Sequence, residues 1–341
     1  MTGKVNQEGT AAYAAGSSIS SDPADFQELR FVTSHDMCDV ATRLSFAWWN
    51  VSYCPPVASK PEPINKSILR PWFMFCHLDD LLNLDVMAFG EISRSFMESF
   101  EYLASQKGMV GLDISGRDGR LIQDIGIFYK SSKLKLLDYT NITKSHYSGR
   151  LKVATRIDFE VIETRETIHF FVSHWPSKMS RPDIGRDELG STLRESINML
   201  YDEVGFQANI ILMGDYNNEP FEAPIYDKLW ATRDRKKLLE KPFLFYNPFW
   251  RNLGGSLPYC HKRQTSPCHG TYFYKSSPHV TKWFTFDQII VSSSLMGLGK
   301  WHLIEESTRA FCYEIDSVFG EQFFKEHDHL PIFGRIERAH E

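Results

Sequence analysis

The sequence is poor in the features that would assign it quickly to a class. Six cysteines (Cys38, Cys54, Cys76, Cys260, Cys268 and Cys312) are scattered over 341 residues. They are too sparse and irregular for a disulfide scaffold and fit a reducing compartment better. No uninterrupted apolar run approaches the ~20 residues that cross a bilayer. The start of the chain lacks the apolar core of a secretory signal. These absences lead to the expectation of a cytoplasmic protein that makes no use of a membrane. A basic excess is also missing: 38 Lys and Arg stand against 43 Asp and Glu, a net charge of −5. A phosphate-rich ligand must therefore be met by a local basic patch or by a bound cation. No internal repeat is present.

Apolar residues are plentiful, at 42%, with 14% aromatic and 25 phenylalanines, enough for one large core. Residues 1–40 begin small and polar and read as an N-terminal tail or arm. Residues 41–341 read as one domain, with a long aromatic and basic loop at about 221–282. Runs of strand length occur at 44–51, 84–93, 119–131, 133–139, 153–163, 168–178, 209–217 and 284–293. Three- and four-residue apolar spacing predicts helices over 64–83, 93–108 and 187–204. Strands and helices alternate, but some connections are too short for parallel crossovers. That pattern suits an α/β protein with mixed sheets.

The predicted strands repeatedly run out into polar residues of one chemical kind. WWN ends in Asn50, MAFGE in Glu91, and FFVSHW delivers His174. ILMGDYN delivers Asp215 and Asn217, FTFDQ carries Asp287, and HDHLPI brings Asp328 and His329. Side chains at i and i+2 of a strand share a face, so Asp215 and Asn217 point together wherever extended geometry persists. One such residue alone is an ordinary turn former or cap. Carboxylates, amides and two histidines together imply a polar pocket at one edge of packed sheets.

This ordered set (WN, FGE, SHWPS, GDYNNEP, FDQIIVS and DHLPI) resembles the endonuclease/exonuclease/phosphatase superfamily, the deoxyribonuclease I-like fold, from about Leu44 to Ile336. Two positions depart from the family pattern: Gly90 stands where Gln is usual, and His327 where Ser is usual. His327 is open to two readings, a phosphate contact or a merely exposed side chain. The resemblance implies a four-layer α/β sandwich, two mixed sheets face to face with helices outside. It also implies hydrolysis of a phosphate ester with Mg²⁺, for which Mn²⁺ substitutes. A hard cation neutralises the anionic ester and needs only one or two carboxylates.

On that resemblance Glu91 is the first metal ligand, with Asn50 and Asp328 beside it. Asp287 fixes His329, which deprotonates water or grips the phosphate. Asp215 orients or activates the attacking water, while Asn217 and His174 donate to the phosphoryl oxygens. The carboxylate partner of His174 stays open between Gln123 and Asp124. Lys178, Arg181 and Arg186 follow the His174 strand as substrate-binding candidates; a solvated loop is the alternative. The basic run 232–237 and the aromatic run 241–255 offer phosphate contacts and base stacking, or else a solvated helix end and a satellite core. Two Cys-His pairs at 260–269 lack the spacing of a familiar zinc finger. The expected function is a nuclease on DNA or RNA. The alternatives are a phosphatase or phosphodiesterase acting on a small molecule or lipid, and a binding module that has lost catalysis.

Overall fold

The computed structural model describes residues 40–53, 68–118, 121–147, 149–178, 185–254, 261, 268–312 and 323–339. The chain parts into two units, Met1–Cys38 and Asp39–Glu341. The first unit, along with Arg181 and most of the 260–269 stretch, lies outside the described residues.

In chain order the strands are β1 (Val40–Asn50), β2 (Val86–Gly90), β3 (Met109–Asp113), β4 (Gly116–Asp118), β5 (Leu121–Gln123) and β6 (Gly126–Lys130). They continue with β7 (Leu134–His146), β8 (Gly149–Val161), β9 (Thr167–His174), β10 (Asn209–Asp215), β11 (Ala231–Thr232) and β12 (Phe245–Tyr246). The last six are β13 (Tyr272–Phe273), β14 (Trp283–Phe284), β15 (Asp287–Ser292), β16 (Trp301–Leu303), β17 (Arg309–Ala310) and β18 (Ile332–Ala339). Four helices matter to the argument: α1 (Leu69–Leu82), α2 (Arg94–Ser105), α3 (Arg186–Val204) and α4 (Arg235–Glu240).

Two seven-stranded sheets form. One runs β16-β18-β1-β2-β6-β3, with β17 also on β18; the other runs β11-β12-β15-β10-β9-β8-β7. Both are mixed. β1 pairs parallel with β2 and antiparallel with β18. β10 pairs parallel with β9 and antiparallel with β15.

Side-chain alternation decides which face of each strand meets which layer. In β10, Ile211 and Met213 join the core between the sheets, while Ile210 and Leu212 join a second core under α3. On that second core α3 lays Leu189, Leu193, Ile197 and Leu200. Both faces are covered, so the strand reads as an unbroken apolar run rather than an alternating one. On the first sheet, Phe75 of α1 and Phe96 and Phe100 of α2 cluster edge-on and stacked with Phe89 and Phe128. Helix, sheet, sheet, helix is the α/β sandwich expected from the sequence.

Three expectations shift. Residues 119–131 were expected as one strand but divide into β5 and β6, separated by the buried Asp124. β3 lies outside the strand-length runs of the sequence, because its five residues MVGLD are interrupted by a glycine and sit at the sheet edge. Cys268 and Cys312 form a disulfide, a pairing hidden in the sequence by a separation of 44 residues. It removes Cys268 from any zinc site. Among the described residues no helix is long and apolar enough to cross a membrane.

Candidate active site

Strand register builds the site. In the second sheet Asp215 sits directly between His174 of β9 and Asp287 of β15. In the first sheet Asn50 pairs with Gly90, which places Glu91 just beyond the end of β2. Close packing makes this possible at two glycines. Gly214 has φ of 150°, and a Cβ there would come 1.9 Å from the Ser173 carbonyl oxygen. At Gly90 a Cβ would lie 2.4 Å from the Trp48 ring. Gly90 thus occupies the usual Gln position because the Trp48 indole fills that space. The indole is itself used: Trp48 Nε1 donates across the sheets to Asp287 Oδ1 at 2.9 Å.

Two imidazole–carboxylate pairs face one another. His329 Nδ1 and Asp287 Oδ2 are 2.8 Å apart, and His174 Nδ1 and Asp124 Oδ2 are also 2.8 Å apart. The second distance settles the choice between Gln123 and Asp124 in favour of Asp124. The outward nitrogens converge: His329 Nε2 is 3.8 Å and His174 Nε2 3.9 Å from Asp215 Oδ2. His174 Nε2 is also 3.6 Å from Glu91 Oε1. Asn50 Nδ2 donates to Glu91 Oε1 and Asp215 Oδ2, both at 3.3 Å. Asp328 stands beside this group and accepts from Ser52 Oγ at 2.7 Å.

Asp215 and Asn217 do converge, but not by strand alternation. The strand ends at Asp215, and Asn217 turns into the left-handed region at φ 48°. Its backbone N–H donates to Asp215 Oδ1 at 2.8 Å and its Nδ2 to Oδ2 at 3.1 Å. This is an Asx turn, in which a short side chain stands in for a backbone acceptor. Glu91 also sits at positive φ, 54°. Such backbone strain persists only where the surroundings over-determine it, and it clusters at functional sites.

The electrostatics follow from burial. Burial would raise the Asp124 carboxyl, but His174 and Lys152 hold it down to about 2. Lys152 Nζ donates to Asp124 Oδ1. Burial would lower His329, yet Asp287 and Asp215 raise it well above the usual histidine range. His174 is raised in the same way, chiefly by Asp124 against burial. Asp215 is pushed up by burial, against the pull of His329.

Not every candidate faces the pocket freely. Lys178 Nζ donates to both Glu222 oxygens at 2.6 Å. His327 is neither exposed nor a phosphate contact through Nδ1. It is buried, with Nδ1 3.1 Å from the Val51 carbonyl and its ring stacked on Tyr53. Both Nη atoms of Arg186 are buried without an acceptor among the described residues, within the field of Asp215 and Glu222. The supporting residues Trp48, Trp49, Ser52, Lys152 and Tyr272 went unnoticed in the sequence. Trp49 Nε1 donates to the His329 carbonyl at 2.9 Å, and the Tyr272 ring lies 4.5 Å from the imidazole of His329. Trp48 and Trp49 did carry a signal, since they immediately precede Asn50.

Asp215, Asp287 and His329 bring ligand atoms within 4.8 Å of one another. Asp287 is a poor ligand, because one oxygen accepts from Trp48 and the other pairs with His329. The oxygens of Glu91 and Asp328 are the better fit, since Asp215 already accepts from Asn50 and Asn217. Carboxylate oxygens are hard donors of the kind a divalent cation prefers.

The profile of the Endonuclease/Exonuclease/phosphatase family matches residues 107–337. No curated protein matches the sequence. Solved structures do match. The human Nocturnin catalytic domain with bound sulfate is 15% identical with a TM-score of 0.55, covering 86% of this chain and 94% of that one. TDP2 of D. rerio, complexed with a single-strand DNA product, is 16% identical with a TM-score of 0.51, covering 86% and 99%. A Bacteroides thetaiotaomicron mannosyl-6-phosphatase is 14% identical with a TM-score of 0.51, covering 86% and 99%. Identities this low speak for the fold alone. The profile match over most of the chain, with the polar residues of both sheets meeting at one edge, decides the rest: this chain belongs to the endonuclease/exonuclease/phosphatase family of phosphoesterases.

Proposed function

We propose that the protein hydrolyses phosphodiester bonds in nucleic acid with the aid of a divalent cation, Mg²⁺ or Mn²⁺. The observation that carries this reading is the meeting of His329, His174 and Glu91 around one buried carboxylate, Asp215. Glu91 and Asp328 would hold the cation, with the Asn50 amide tethering Glu91, and the cation would neutralise phosphate charge and acidify water. The chain's own groups do the rest. Asp215, its affinity for a proton raised by burial, receives the proton of the attacking water. Asn217, anchored by its two bonds to Asp215, holds that carboxylate in place.

His329 is fixed through Nδ1 by Asp287 and keeps its charge to higher pH than an ordinary histidine. That favours gripping the phosphate over deprotonating water. His174, held by Asp124, donates from Nε2 as charge grows on the phosphoryl oxygens. Arg186 contributes a desolvated guanidinium whose two Nη atoms have no acceptor among the described residues, a condition that suits a phosphate clamp. Nucleic acid is favoured over a small phosphate ester by the aromatic and basic segment that follows Asp215.

One assay tests the reading. Wild type and His329→Ala are incubated with single- and double-stranded DNA and RNA, with Mg²⁺ or EDTA. Metal-dependent cleavage that is lost in the variant is expected. Hydrolysis of an aryl phosphodiester without cleavage of any polymer would redirect the reading to a small-molecule phosphoesterase.

A further inference from the structure

The aromatic run and the basic run come together in one groove. A cavity of about 630 Å³ is lined by Phe221, Tyr226, Trp230, Trp250, Arg233 and Lys237, among others. Phe221, Tyr226 and Trp230 are 52%, 51% and 41% exposed, with the Arg194 guanidinium covering one face of Trp230. The Arg233 guanidinium lies 4.4 Å from the Trp250 ring centroid. Trp250 Nε1 is buried without an acceptor among the described residues. One acid, Asp227, shares the lining with these two cations.

The groove is built with effort. Trp230 is held at φ 62°, the left-handed region that a bulky residue rarely adopts. Phe245 N donates to the Trp230 carbonyl at 3.0 Å, and the Arg194 guanidinium packs 4.5 Å from its ring. Residues Pro224–Lys228 form a π-helical turn, a rare geometry often found at functional sites. It docks on α3 at Gly190, where a Cβ would lie 2.3 Å from the Pro224 carbonyl oxygen.

A buried amide network ties this groove to the candidate active site. Gln288, next to Asp287 on β15, donates from Nε2 to the Asn218 carbonyl at 2.6 Å. Its Oε1 accepts from Asn247 Nδ2 at 2.8 Å. Asn247 Oδ1 in turn accepts from Phe249 N at 2.9 Å and caps the turn that carries Trp250. Gln288 and Asn247 are fully buried and Asn218 nearly so. One side chain therefore fixes both the loop after Asp215 and the wall of the groove.

We infer that this groove is a subsite for single-stranded polynucleotide, stacking splayed bases on Phe221, Tyr226, Trp230 and Trp250 while Arg233 and Lys237 meet the phosphates. Open aromatic faces interleaved with cations are what a single strand requires, since every base has a π-face and every linkage a charge. A duplex hides its bases and gains nothing from such rings. The inference rests on the phosphodiesterase reading above and names where its substrate extends beyond the scissile phosphate.

Fluorescence anisotropy with a labelled oligodeoxythymidylate, in EDTA so that nothing turns over, tests it. Trp250→Ala and Trp230→Ala should weaken binding by about 5- to 100-fold, the span of one lost base–aromatic stack. Tyr226→Ala, at an exposed position that folding does not need, should weaken it by at least about fivefold. Arg233→Glu with Lys237→Glu should weaken binding and flatten its salt dependence by about two phosphate contacts. Turnover of bis(4-nitrophenyl) phosphate with Mg²⁺ should stay at the wild-type level in every variant. Affinities all within twofold of wild type, or an equal affinity for duplex, overturn the inference. Wild type that hydrolyses the aryl diester but binds no single strand loses the groove and keeps the chemistry. Wild type that binds through the groove but hydrolyses no diester keeps the groove and loses the phosphodiesterase reading.

Discussion

Asp287 has no oxygen to spare, because one accepts from Trp48 and the other pairs with His329. Its work is orientation, and Asp287→Asn should show it: the imidazole remains but loses its carboxylate partner. We expect kcat to fall by about 10²–10⁴-fold, and by at least as much in His329→Ala, with circular dichroism unchanged. Wild-type rates in either variant refute the site.

Glu219 makes a different prediction. Burial raises its carboxyl from 4.5 to about 7, though Thr285 N–H donates to it. Between those values the native state keeps a proton that the unfolded chain has released. Stability therefore falls as pH rises from about 4.5 to about 7, then levels off. Glu219→Gln keeps the acceptor and removes the ionisation. It should be more stable than wild type at pH 8, by on the order of 2–3 kcal/mol, and nearly equal at pH 4. Urea denaturation at the two pH values measures this, and an unchanged gap refutes it.

Among the elements, the strand termini carry the candidate site residues and the close contacts between strands set their positions. Gly90→Ala drives a methyl into the Trp48 ring, 2.4 Å away. Overpacking of this kind costs about 1–3 kcal/mol. Because Trp48 holds Asp287, activity should fall along with the melting temperature. A variant that melts lower but keeps full turnover would separate packing from positioning.

The loop before β13 is tied down by Cys268–Cys312. That loop also supplies Thr271, whose Oγ1 accepts from Asp287 N at 2.9 Å. Reduction, or Cys268→Ser, should cost about 2–4 kcal/mol through the freed loop. A melting temperature indifferent to dithiothreitol would show that no cross-link forms in solution.

At the scale of the molecule, negative charge dominates, at −5 overall, and the candidate site concentrates it. Glu91 and Asp215 both accept from the Asn50 amide, and Asp328 stands close by. A cation binding there stabilises only the folded state, so Mg²⁺ or Mn²⁺ should raise the melting temperature in proportion to site occupancy. Glu91→Gln should abolish that rise, and an undiminished rise would move the cation elsewhere. The same balance of charge means that polynucleotide affinity depends on a few local cations, and it should drop steeply between low and moderate salt.

Local patterns made much of this legible in one dimension. Apolar runs ending in Asn50, Glu91, His174 and Asp215, and one beginning at Asp287, announced buried strands converging on a polar edge, because a chain cannot bury such groups without partners. The order of those motifs sufficed to identify the family and the sandwich. Only the tertiary structure could decide what depends on register and on contacts between distant segments. It paired His174 with Asp124 rather than leaving Gln123 open, buried His327, and bonded Cys268 to Cys312 across 44 positions. It also replaced the expected strand alternation at Asp215 and Asn217 with a turn. Periodicity reports which way a side chain faces. It is silent on which segment lies opposite, because that is set by the packing of two sheets that the linear order keeps apart.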